Sequence, residues 1–246
     1  MKKIITIVAI AILLPFSASF AQKQLYIGAG GSVLNTWMTN QNNYGLLFEM
    51  DYVPTIGGSG NIHLGFDFNQ AIGLKLEVGY QMLGQRYSDT YKDTAYTRTL
   101  TLNYIQLPLL FKYRTNGEVA RFYFAIGPQF NFLMSAEQKY YKQGVINTDS
   151  VYNPINNQRI KVGEETVTGN YSSFDVMGRL DLGVDISFTP NLFLNVGATL
   201  AYGFLDVNAT SMRIPDYSSG TYSASHNIFG GINIGINYIF PMSGKK

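Results

Sequence analysis

A chain of 246 residues with 25 Gly, 16 Phe and 18 Tyr is the size of one β-rich domain rather than two. It contains no Cys, which excludes disulfide staples and thiolate chemistry and argues against a lipid anchor on an N-terminal Cys. Its 18 basic and 16 acidic side chains give a net charge of only +2 with no basic run, so no nucleic-acid partner is expected.

In chain order, the first feature is Lys2 and Lys3 ahead of an apolar run over residues 4–14, then Pro15 and the small-residue stretch Ser17, Ala18, Ser19, Phe20, Ala21. This reads as a signal peptide over residues 1–21, cleaved after Ala21, because Ser19 and Ala21 are the small residues a signal peptidase accepts. An anchoring helix would need roughly 20 apolar residues. Removal of the segment takes away two basic residues and no acidic ones. The mature chain, residues 22–246, is therefore expected to be exported and electrically neutral.

Eight segments then alternate apolar and polar residues with the period of a strand: 24–34, 61–69, 71–84, 99–114, 119–135, 173–189, 191–205 and 227–240. The third is typical. Ile72, Leu74, Leu76, Val78, Tyr80 and Met82 take one face, and Gly73, Lys75, Glu77, Gly79 and Gln81 the other. Short turns at Gln70, 115–118 and Pro190 alternate with long polar stretches at 35–60, 85–98, 136–172 and 206–226. Long strands, an even count and turns that alternate in length predict an all-β fold, a transmembrane antiparallel up-and-down β-barrel of eight strands with its short turns on the periplasmic side. Ten strands stay open, because 44–52 also alternates and 159–167 could extend a hairpin.

The apolar faces sort by height. With each strand oriented by its turns, Phe68, Phe111, Tyr113, Phe122, Phe188, Tyr238 and Phe240 fall at the short-turn end. Tyr80, Phe130, Phe132, Phe174, Tyr202 and Phe204 fall at the long-loop end, with aliphatic residues between. Eight residues separate Phe122 from Phe130, which at about 3.3 Å per residue and a tilt near 40° places the belts roughly 20 Å apart, close to the height of an apolar membrane band. Outer-membrane lipid is thus the expected surroundings of the apolar face. A soluble lipid-binding barrel, the rival, would turn that face inward.

The other face must fill a narrow interior, which suits the inward glycines Gly65, Gly73, Gly79, Gly127, Gly183, Gly197, Gly231 and Gly235 and argues against an open pore. It carries Asp67, Glu77, Asp175, Asp181 and Asp185 with Lys75, Lys112, Arg121 and Arg179. Charges taken out of water need partners, so this set reads as an interior charge network, with an ion path or substrate site as the alternative. Leu100, Leu102 and Tyr104 fall out of step with Leu107, Leu109, Phe111 and Tyr113, which predicts a β-bulge near Ile105 in the fourth strand.

The stretch YIQLPLLFKYR, 104–114, followed by FYFAIGPQFNFLM, 122–134, resembles the PorT-like outer-membrane β-barrel family of the Bacteroidota. The resemblance implies a barrel related in shape to OmpA and OmpX and an association with secretion, the founding member being linked to export by the type IX secretion system. It brings no catalytic motif.

The residues themselves supply none either. GAGGSV, 28–33, lacks the third Gly of a dinucleotide loop and lies inside a strand, and no cofactor or metal motif occurs. His63 and His226 are both expected near the extracellular rim, where one with an acid and a loop Ser would suit a hydrolase or acyltransferase. The preferred reading is non-enzymatic: a barrel that is structural, secretion-associated or binds a protein partner through its extracellular loops. The longest loop, 136–171, carries Tyr140, Tyr141, Tyr152 and Tyr171 as candidate recognition surface.

Overall fold

A computed structural model describes residues 23–41, 50–91, 93–142, 150–152, 159–161, 163–213, 215 and 220–240. The expected signal peptide lies outside them. Eight long strands form the wall: β1 (Gln24–Met38), β2 (Thr55–Asp67), β3 (Ile72–Tyr91), β4 (Thr94–Arg114), β5 (Ala120–Lys142), β6 (Phe174–Thr189), β7 (Leu192–Gly203) and β8 (Asn227–Phe240). Each pairs antiparallel with its neighbours in sequence. The last closes on the first, from Leu25 opposite Phe240 to Met38 opposite Asn227. The fold is an eight-stranded antiparallel up-and-down barrel.

Local chemistry sets the short turns. Asn69 Oδ1 accepts the backbone N–H groups of Ala71 and Ile72 at 2.8 Å each, holding the β2–β3 reversal in place of a backbone turn. At the other end the strands run further than alternation alone foretold. The stretch 85–98, expected as a long loop, is the tip of a β3–β4 hairpin paired out to Tyr91 opposite Thr94, with Asp93 at φ 58° making the turn. Its Thr- and Tyr-rich composition resembles a loop's, yet these residues favour extended backbone. β2 likewise starts at Thr55, where Gly and Ser leave no hydrophobic pattern to read but the backbone still pairs with β1.

Of the two segments that keep ten strands open, 44–49 lies outside the described residues, and the described parts of both stay out of the ring. Asp51–Val53 pairs with Arg86–Ser88 of β3, and Gly163–Thr166 with 137–140 of β5. A separate hairpin joins Ser150–Tyr152 to Arg159–Lys161.

The predicted bulge in β4 is absent. Leu100, Leu102, Tyr104, Gln106, Leu110, Lys112 and Arg114 all turn inward in one unbroken phase. What changes along the strand is the chemistry of the interior, from apolar at the long-loop end to charged at the other. The irregularity falls on the neighbouring β5, where Asn103 faces Ser135 but Tyr104 faces Leu133, so that Met134 is the extra residue.

Leu74, Leu76, Val78, Tyr80 and Met82 of β3 are exposed on the outside, and Glu77 and Gln81 are buried inside. The same split runs around the ring, leaving Ile62, Phe122, Ile126, Leu182, Leu200 and Ile232 on an outer surface far too apolar for water. Closure leaves no strand edge in the wall, so its backbone polar groups are satisfied within it. Inward glycines act as sockets. A Cβ at Gly65 would strike the Tyr26 ring, one at Gly183 or Gly197 would meet Tyr123, and one at Gly28 would strike the His63 imidazole.

Candidate functional site

The barrel interior is built from alternate residues of all eight strands and has two zones. At the short-turn end Arg114, from the end of β4, pairs with Asp67 from the end of β2 and lies 3.5 Å from Asp185 of β6. Lys112, two residues earlier on the same face, donates to Asp185 Oδ2 at 2.7 Å. Its ammonium sits among the rings of Tyr123, Phe193 and Tyr26, 4.4, 5.6 and 5.8 Å from their centres. One layer up, the Arg179 guanidinium forks onto both carboxylate oxygens of Asp181 at 2.9 Å each and reaches Glu77 Oε2 at 2.9 Å. The other oxygen of Glu77 takes Lys75 at 2.6 Å. Gln129 then donates to Gln81 and to Asn131 at 2.7 and 2.9 Å, grading the ions into carboxamides.

Seven of the nine residues expected in the interior network are therefore joined in these ion pairs: Asp67, Lys75, Glu77, Lys112, Arg179, Asp181 and Asp185. Asp175 is not among them. It sits higher, accepting a 3.0 Å hydrogen bond from Asn227, which also donates to the Tyr104 hydroxyl. Arg121 lies at the short-turn mouth and makes no ion pair among the described residues. Arg114 was missed as a member, although its position two residues beyond Lys112 placed it on the same face.

Above the carboxamides the interior becomes an apolar core of Leu34, Met38, Leu83, Leu100, Leu102, Tyr104, Ala136, Met177, Ala201 and Phe229. Val167 and Tyr171 from one connection and Val207 from another join it, and Tyr171 bridges to Asn208. These segments roof the barrel. Arg98, fully buried in the same region, donates to Gln138 Oε1 at 3.1 Å and to the Gln41 carbonyl at 3.0 Å, with its guanidinium 5.4 Å from the centre of the Tyr87 ring. Asp206 Oδ1 accepts the Asn208 and Ser225 backbone N–H groups at 3.1 Å, and its Oδ2 accepts the Tyr222 hydroxyl at 2.6 Å. Partial burial together with that carboxylate pushes the Tyr222 phenol up to about 12.

The expected recognition surface is correspondingly reduced. Tyr140 and Tyr171 are buried, so they support the roof and offer nothing to a partner, whereas Tyr141 is exposed. The Tyr152 side chain lies outside the described residues. The error came from reading 136–142 as loop when it continues β5. His63 also departs from the expected rim position. It is buried within the wall, with Nδ1 3.0 Å from Asn61 Oδ1 and Nε2 2.6 Å from Asn237 Oδ1. His226 does lie at the long-loop end, its ring 5.6 Å from that of Tyr202 and its Nδ1 3.1 Å from the Leu205 carbonyl.

The aromatics expected at the lipid interface, Phe68, Tyr80, Phe111, Tyr113, Phe122, Phe132, Phe188, Tyr202, Tyr238 and Phe240, are exposed on the outer face. Phe130 and Phe174 are half-buried there, their rings stacked 6.4 Å apart.

Solved structures similar to this chain are outer-membrane barrels. Neisserial surface protein A is 14% identical over 88% of this chain and 97% of its own, with a TM-score of 0.43. OprG of Pseudomonas aeruginosa is 11% identical over 91% and 98%, with a TM-score of 0.41. The outer membrane protease OmpT of Escherichia coli is 12% identical over 89% and 96%, with a TM-score of 0.36. No curated protein matches the sequence. The sequence pattern of the outer membrane protein beta-barrel domain family matches residues 20–209, and the chain belongs to that family.

Proposed function

We propose that this outer-membrane barrel is a non-enzymatic, closed mount that holds its long loops outside the cell for contact with a protein partner. The short turns, the start of β1 and the end of β8 then face the periplasm, and export follows cleavage after Ala21. The observation that carries the reading is the filled interior: linked ion pairs, then carboxamides, then an apolar core roofed by Val167, Tyr171 and Val207. Such a barrel has no lumen to conduct through. The motif in β4 and β5 further supports a PorT-like, secretion-associated member of the family. As for catalysis, His63 is held between two carboxamides inside the wall, and the ring of His226 packs on Tyr202 and contacts a backbone carbonyl, positions that suit structure better than proton transfer.

Planar-bilayer recording of the refolded protein tests the closed interior; steady porin-sized channels would overturn it. The partner is tested by replacing 143–162 with a short Gly-Ser linker, which leaves the β5 extension and the Gly163–Thr166 strand in place. The variant should still shift its gel mobility on boiling in SDS but lose the partner crosslinked by the full-length protein. Recovery of the same partner would move recognition to another loop.

A further inference from the structure

The short-turn mouth of the barrel holds a polar cavity of about 320 Å³, lined by Gln24, Asp67, Asn69, Arg114, Glu118 and Arg121 among others. Its charges are not all matched. Arg114 is taken by Asp67 and Asp185, and Asp185 by Lys112. Arg121 stands directly across the β5–β6 ladder from Asp185, yet forms no salt bridge with it, because that carboxylate is turned to Lys112 and Arg114. The Arg121 Nε–H is enclosed with no acceptor among the described residues, whereas Nη1 of Arg114, without a hydrogen bond, still faces Asp185 Oδ2 at 3.5 Å. An enclosed guanidinium donor without an acceptor carries a desolvation cost that an incoming oxyanion would relieve. Glu118, the other acid of the lining, is exposed on the turn and makes no ion pair among the described residues.

We propose that this mouth is an anion site, in which the Arg121 guanidinium, with Arg114 beside it, receives a carboxylate or phosphate group. That the anion comes from the periplasm rests on the orientation proposed above; the anion chemistry itself does not. The Arg121 fork has a fixed donor geometry that suits planar or tetrahedral oxyanions, and the cavity is at the small end of ligand-sized pockets. The neighbouring donors Gln24, Asn69 and Gln70 supply carboxamides at the same mouth without adding charge.

The test is NMR of the refolded barrel in micelles, following the Arg121 Nε–Hε resonance and the Gly117 backbone amide while sodium phosphate or sodium acetate replaces sodium chloride at constant ionic strength. A site gives saturable shifts of both resonances with at least one of the two anions, and which anion saturates at lower concentration assigns the group. Arg121→Gln should reduce the Gly117 shift at least tenfold while retaining the heat-dependent gel mobility of a folded barrel. Glu118→Gln should keep the shifts and saturate at lower anion concentration, and Lys139→Gln at the opposite end should behave as wild type. Shifts that grow linearly without saturation, or a full Gly117 response in Arg121→Gln, would overturn the proposal. So would a wild type that is silent to both anions while Glu118→Gln alone moves the Arg121 resonance, since Glu118 would then be the partner. Should the channel or loop experiments fail, the closed-mount reading falls and this site stands, because it is read from resonances at the short-turn mouth and not from conductance or crosslinking.

Discussion

The two halves of the interior are lined by the same eight strands in the same phase, yet one is a set of ion pairs and the other a hydrophobic core. Along β4 the change occurs within a few residues, from Leu100, Leu102 and Tyr104 to Gln106, Lys112 and Arg114. In the short-turn half the network is tied together by pairs between strands: Arg114 of β4 needs Asp67 of β2, Lys112 of β4 needs Asp185 of β6, and Arg179 of β6 needs Glu77 of β3. Such a network fixes which strand sits where. It adds little net stability, because desolvation offsets most of the attraction, but it makes the loss of any one member costly. In the long-loop half, shape and apolar area do most of the filling, and the buried Arg98 and Asp175 are held there by hydrogen bonds to Gln138, the Gln41 carbonyl and Asn227.

Breaking the network at its hub should have the largest effect. Arg179→Met strands Asp181 and half-strands Glu77, at a cost of about 3–5 kcal/mol. It is read from guanidinium unfolding of the refolded barrel by the fluorescence of Trp37, the one tryptophan. Adding Glu77→Gln and Asp181→Asn should restore part of that loss, whereas a single variant within 1 kcal/mol of wild type would show that the ions are solvated. In the other half, Leu102→Ala should cost about 2–5 kcal/mol by opening a cavity, and no second substitution at a charged position should rescue it. The outer wall supplies the scale: Leu180→Arg, which leaves both interior halves intact, should cost about 2–4 kcal/mol by placing charge near the bilayer centre, and a neutral result would mean that the faces are inverted.

The smallest effect is expected outside the membrane, at Lys139 and Glu164, whose 2.9 Å link helps tie Gly163–Thr166 to β5. The hydrogen-bonded ammonium holds the Glu164 carboxyl below the usual carboxylate range. The contribution is therefore present above that range and is lost as pH falls through the depressed value. The protection of the Val167 amide, which donates to the Ala136 carbonyl, should fall on acidification in the wild type once the intrinsic pH dependence of exchange is divided out, and show no such step in Glu164→Gln, with no change in global unfolding, since the pair is open to solvent.

The comparison also explains what was legible in the sequence. Where the interior is polar and the outside apolar, as in Lys75–Glu77 of β3 or Arg179–Asp181 of β6, alternation assigns the faces directly. Where the interior is itself apolar the two faces no longer contrast, and Leu100 and Leu102 looked like lipid-facing residues displaced by a bulge. Arg98 was hidden for the same reason: a Thr- and Tyr-rich hairpin tip gives no contrast at all, so a buried guanidinium there read as loop. Tyr140 reads as loop because the end of the alternation falls before the end of the pairing in β5, and Tyr171 because nothing local marks a connection that folds back onto the core.

The seam between β1 and β8 joins opposite ends of the chain over the full length of the first strand, from Leu25 to Met38. Every other seam in the ring can form as soon as the next strand exists, but this one must wait for the last. Until Asn227–Phe240 is in place, the first and last available strands both present open edges, and an open edge in hydrocarbon leaves its amides and carbonyls without partners. Biogenesis is thereby made all-or-none: a chain truncated anywhere before β8 cannot settle as a smaller barrel in the bilayer, and remains a template for wrong pairing.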